Sequence, residues 1–132
     1  MNLKQLYAAA IQDANNEDYT GAIRKLELIL VQNIGTVDRG NVVALLGGVH
    51  LIIGEYEKGT ERLIEGLSAA PNYAEGWSNL SHGLLQLGRF DEAIGASCKA
   101  LALKPDYAEA RHNMASALKN VVFTGPSLEI SN

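Results

Sequence analysis

The sequence predicts an all-α fold, a right-handed superhelical array of antiparallel helix hairpins (an α-solenoid) with about three and a half repeats. Three observations predict it. The text Pro71-Asn72-Tyr73-Ala74-Glu75 returns as Pro105-Asp106-Tyr107-Ala108-Glu109, a shift of 105 − 71 = 34 residues without a gap. A fixed period of that length marks stacked helical hairpins. Within the period, Trp77, Leu80, Leu84 and Leu87 share one helical face, and Phe90, Ala93, Ile94, Ser97, Ala100 and Leu101 share a second. Gly88-Arg89 parts these runs, and no segment alternates at the period of a strand. Each helix is too one-sided to stand alone, so the two pack antiparallel across a short turn.

The units divide as 3–36, 40–73, 74–107 and a partial 108–122, followed by a non-repeat tail, 123–132. In the first, Leu3, Leu6, Ala10 and Ala14 form a helical stripe, Asn15-Asn16-Glu17-Asp18 a polar turn, and Tyr19, Ala22, Ile23, Leu26, Ile29 and Leu30 the second helix. Tyr19 and Tyr56 hold equivalent places 56 − 19 = 37 residues apart, three more than the period. A loop over 33–39 is expected to take up the excess, since insertions are tolerated there. In the second unit Val43, Leu46, Gly47, His50 and Ile53 make the first helix, Gly54 ends it, and Tyr56, Gly59, Leu63, Gly66 and Leu67 line the next. Gly48, Gly59 and Gly66 each lower helix propensity by ~1 kcal/mol relative to alanine, which predicts a softer hairpin. Units three and four open with Asn72 and Asp106, each followed three residues later by glutamate, the spacing of a capping box. Met114, Ala115, Leu118, Val121 and Val122 form the last helix before Gly125-Pro126 breaks the pattern.

Trp77-x2-Leu80-Ser81-x2-Leu84, then Ala93-x3-Ser97 and Pro105, resembles the tetratricopeptide repeat pattern, with Ser81, Leu84 and Ser97 replacing its glycine, tyrosine and phenylalanine. The resemblance implies a concave groove lined by one face of every first helix. The groove places hold Glu75, Ser78, Asn79, His82 and Gln86 in unit three and Glu109, His112, Asn113, Ser116 and Lys119 in unit four. Asn79 and Asn113, 113 − 79 = 34 residues apart, resemble two rungs of the asparagine ladder of O-linked N-acetylglucosamine transferase-like arrays, which hold an extended peptide by its backbone. Asparagine is also common there without a ligand. Units one and two carry Ala8 and Leu45 at that place, and Ala44, Leu45, Gly48 and Ile52 make their end of the groove apolar. The lysines and arginines of the family's two-carboxylate clamp are absent: its places carry Tyr7, Ile11, Leu45, Glu75 and Asn79, or one unit later Ala44, Gly48, Asn79, Glu109 and Asn113. An acidic C-terminal peptide is therefore not the expected ligand.

Composition narrows the function classes. The 132 residues carry 15 acidic and 11 basic side chains, net −4, with no basic run, which argues against nucleic acid or an anionic membrane as partner. One cysteine, Cys98, allows no internal disulfide, and a reducing, cytoplasmic setting is expected. The start has no leader pattern and no apolar run is long enough to span a bilayer. No HExxH accompanies the three histidines, so no metal site is expected, and His50 reads as a packing residue between hairpins. Neither GxxxxGK[ST] nor GxGxxG occurs, Cys98 has no histidine near it in sequence, and no cofactor or catalysis is expected.

Protein or extended-peptide binding is thus the expected function. The rival is a substrate-docking or dimerising segment of a larger group transferase (methyl-, glycosyl- or sulfotransferase), as accompanies such repeats in the families it resembles. Val121, Val122 and Phe123 carry little compensating charge where a terminal cap should be polar. Either the chain continues into a longer polypeptide, or this end is a homo-oligomer contact.

Overall fold

The computed structural model describes residues 1–121 and 125–130. Among them the chain forms seven helices: α1 (Leu3–Asn15), α2 (Tyr19–Leu30), α3 (Thr36–Ile52), α4 (Tyr56–Ala69), α5 (Ala74–Gln86), α6 (Phe90–Leu103) and α7 (Ala108–Asn120). The hairpins α1–α2, α3–α4 and α5–α6 stack in order, α7 packs on α6 and α5, and α3 packs on α5. The odd-numbered helices form an inner layer and the even-numbered ones an outer layer. None is long and apolar enough to cross a membrane.

The tight turns inside the hairpins follow from backbone sterics. Gly54 and Gly88, one period apart, end α3 and α5 with φ of 87° and 74°, in the left-handed region that side chains disfavour. Glu17 stands at the same place in the first hairpin with φ 64°, so that turn carries a strain the others avoid. Asp18 compensates by accepting from the Gly21 N–H at 3.0 Å, and an ion pair between Lys25 and Asp13 ties α2 to α1.

Two sequence expectations are corrected. The three extra residues of the first interval are not in a loop over 33–39: α3 begins at Thr36 and runs 17 residues against 13 for α1, α5 and α7, so the excess is an added helical turn. The capping boxes at Asn72 and Asp106 do not form. The caps are Tyr73 and Tyr107, neither with a side-chain hydrogen bond, because the preceding turn, closed at the second site by Tyr107 N–H donating to the Lys104 carbonyl, carries the chain one residue farther before helix starts. A capping box does form at the other end, between Asn2 and Gln5.

The core runs the length of the array in two clusters that share α3. Leu26, Ile29, Val42, Leu46 and Val49 pack with Ala10 at one side of α3. Leu51, Leu63, Leu67, Leu80, Leu84 and Ala93 continue it on the other. Buried on both sides, α3 keeps ten residues from solvent where α1 keeps one. A neutral polar pair lies within this core: Ser81 Oγ is 2.9 Å from the Ala93 carbonyl and 2.6 Å from Ser97 Oγ, which satisfies both buried hydroxyls. His50, 3% exposed, packs as expected and also places Nδ1 2.7 Å from Glu55 Oε2 across the α3–α4 turn.

Candidate functional site

The backbones of α3 and α5 and of α5 and α7 approach closely, whereas α1 reaches α3 through the side chains of Leu6, Tyr7 and Ala10. Between α1, α3 and α5 the inner face holds an open cavity of about 450 Å³. One wall is apolar, formed by Ile11, Leu45 and Ile52. The other carries Asn79, His82 and Glu109. Ile11 and Ile52 are 37% and 60% exposed, so the apolar wall faces solvent.

Of the ten groove residues expected from the sequence, three line this cavity: Asn79, His82 and Glu109. His82 also stands edge-on to the Tyr56 ring at 6.5 Å. Glu75 is exposed at the mouth of the array, with Lys104 Nζ 3.9 Å from its carboxylate. Gln86, His112 and Lys119 are exposed outside the cavity, and Ser116 is half-buried with its carbonyl accepting from Asn120. Two assignments are overturned. Ser78 is fully buried, and Asn113 is 4% exposed with its Nδ2 donating to the Ser78 carbonyl at 3.1 Å and within 3.4 Å of Ser78 Oγ. These two residues join α7 to α5 and present nothing to a ligand. Ala44, expected in the apolar wall, is also fully buried. Val121, expected in a self-association surface, is half-buried at the end of α7, and Val122 and Phe123 lie outside the described residues.

Asn79 differs from Asn113 although both occupy the same place in the repeat. Its amide makes no hydrogen bond to another described residue and stands half-buried over Gly48, where a Cβ would lie 3.0 Å from Nδ2. Ser78 has Ala44 as its counterpart at 78 − 34 = 44, which has a backbone carbonyl too but lacks the hydroxyl that stands 3.4 Å from the Asn113 amide.

Three tyrosines outside the cavity lining have perturbed hydroxyls. Burial pushes the Tyr73 hydroxyl up to about 12, with Tyr7, Glu75 and Tyr107 adding to the rise. Tyr7 is raised by burial alone, and Tyr107 by burial and then by Glu109 and Glu75. All three are therefore neutral donors at physiological pH. The cavity lining contains no lysine or arginine.

Stacked hairpins with an open inner groove define a helical-repeat scaffold of the α-solenoid class. No family model matches the chain. It is 31% identical over 104 residues to the peroxisomal targeting signal receptor of Saccharomyces cerevisiae, covering 79% of this chain and 17% of that protein. It superposes on an O-GlcNAc transferase mutant of Thermobaculum terrenum with a TM-score of 0.79 at 26% identity, over 88% of this chain and 22% of the other. It also superposes on the first TPR of Spaghetti (RPAP3) bound to an HSP90 peptide, with a TM-score of 0.80 at 12% identity over 89% of this chain and 93% of that one. The chain is a tetratricopeptide repeat array, and it spans about a sixth of the length of the curated relative it matches.

Proposed function

We propose that the chain is a peptide-binding repeat module of the cytoplasm that acts through its concave groove and performs no catalysis. The observation that carries this reading is the cavity between α1, α3 and α5, where an exposed aliphatic wall faces an unengaged primary amide. An extended peptide needs both: its backbone N–H and C=O groups seek partners, which one amide can satisfy as donor and acceptor, and its alternate side chains need apolar cover. Two proteins similar in fold or sequence support it, one bound to a peptide and one named a receptor for a targeting signal. With Glu109 and no cation in the lining, an acidic occupant is disfavoured by like-charge repulsion.

A peptide array tests the reading. Leu45→Lys and Asn79→Ala should remove most of the spots that the wild type binds, while Ile64→Lys on the outer layer should keep them. The reverse pattern would place binding on the outer layer and end the groove reading.

A second reading has one observation in its favour. Leu118 on α7 is 45% exposed, on a helix that has no hairpin partner among the described residues. The same fold occupies 22% of the transferase chain it superposes on. As a docking or dimerising segment of such a protein, the chain would use this end. Sedimentation of the wild type against Leu118→Lys decides it: a wild type that stays monomeric at high micromolar concentration removes self-association.

A further inference from the structure

The structure assigns Gly48 a positioning role: it keeps the Asn79 amide turned into the groove, where it meets the backbone of a bound peptide. The inference rests on the peptide-groove reading and adds the residue that makes one of two equivalent asparagines available. Gly48 lies on the inner side of α3, and among the described residues the one side chain that a Cβ there would approach within 4 Å is Asn79, with Nδ2 at 3.0 Å and Cγ at 3.9 Å. The missing methyl group therefore leaves a space whose occupant is this amide. In the next repeat the place at 48 + 34 = 82 holds His82, and the asparagine beside it, Asn113, is turned inward onto Ser78. Glycine at 48 leaves room for the Asn79 amide at the groove surface; histidine at 82 accompanies an Asn113 amide that bonds to the Ser78 carbonyl, a backbone acceptor of a kind that residue 44 also has. The helix itself does not need glycine at this point, since alanine is the better helix former and no backbone atom stands in the way of its methyl group.

That last fact makes the role separable from stability. In the full chain, Gly48→Ala should raise the thermal unfolding midpoint or leave it unchanged, and should shift the Asn79 side-chain NH2 pair in an amide correlation spectrum without any ligand present. Binding is read with a pool of neutral fluorescein-labelled peptides built from Gly, Ser, Leu and Ile. Gly48→Ala should weaken it about fivefold, the loss expected for one hydrogen bond, and Asn79→Ala by a similar factor. The double variant should be no weaker than either single one, because both remove the same contact. An unmoved Asn79 NH2 pair overturns the positioning role. So does a Gly48→Ala variant that binds like wild type when Asn79→Ala does not. If Asn79→Ala has no effect or the wild type ignores the pool, the groove reading has failed first, and this inference falls with it.

Discussion

The hairpins α3–α4 and α5–α6 cross at equivalent places with different chemistry. In the first, a Cβ added to Gly47 would lie 2.7 Å from the Gly59 carbonyl oxygen, and one added to Gly59 would lie 2.7 Å from that of Gly47. A Cβ on Gly66 would come within 2.5 Å of the Ala44 nitrogen and the Gly40 oxygen. In the second hairpin the places one period on are Ser81, Ala93 and Ala100, and the crossing is bridged by the Ser81 hydroxyl rather than by touching backbones. Glycine at these sites is therefore more than a local weakness in a helix. It sets how closely two helices approach, so packing opposes the propensity lost at each glycine. The softer second hairpin expected from propensity predicts faster amide exchange in α3–α4 than in α5–α6, and equal protection would show that the packing wins.

The comparison can be broken most sharply at Gly66. Gly66→Ala forces a methyl group into backbone atoms that cannot move separately, and should cost about 3 kcal/mol by the usual scale of overpacking. Ala100→Gly, the mirror change in the other hairpin, should cost about 1 kcal/mol through propensity. Urea midpoints measure both, and equal costs would refute the close-approach account.

Ser81→Ala should cost about 1–2 kcal/mol, because it strands the buried Ser97 hydroxyl without its partner. A double variant that also removes the Ser97 hydroxyl should recover part of that loss. Additive losses in a double-mutant cycle would show that the two hydroxyls do not act as a pair.

The two asparagines offer a third contrast. Asn113→Ala should lower stability by about 1 kcal/mol, since its amide bonds to Ser78 within the protein, while Asn79→Ala should change it by less than about 0.5 kcal/mol. Similar values for both would contradict the inward and outward orientations.

The smallest expected effect concerns Tyr73, which packs where α5 meets the preceding hairpin. Its folded value near 12 lies above the unfolded 10, so the fold favours the neutral phenol. The associated stability is complete below pH 10 and is lost as pH rises from 10 to 12. Circular dichroism over that interval should show a smaller loss for Tyr73→Phe than for wild type, after allowance for the change at neutral pH.

The sequence by itself determined the repeat, the helix pairing and even the starts of the second helices, Tyr19, Tyr56 and Phe90, because apolar spacing and turn glycines are local and recur each period. The resemblance to the tetratricopeptide pattern also marked Asn79, His82 and Glu109 as groove residues, because it implies which face of each first helix turns inward, and these three line the cavity. Tertiary structure alone decided which of those places remain open. Asn79 and Asn113 share a residue type and a repeat position, yet one lines the cavity and the other is buried. The residues that distinguish them, Gly48 and Ala44 against His82 and Ser78, belong to the preceding inner helix, some thirty residues away in sequence. The helix excess is of the same kind: three extra residues can enter a loop or a helix, and the tertiary structure puts them in a first turn of α3 that the period does not mark. Periodicity assigns a side chain to a face, but its partner is set by packing between helices, and packing is not periodic when the residues opposite change.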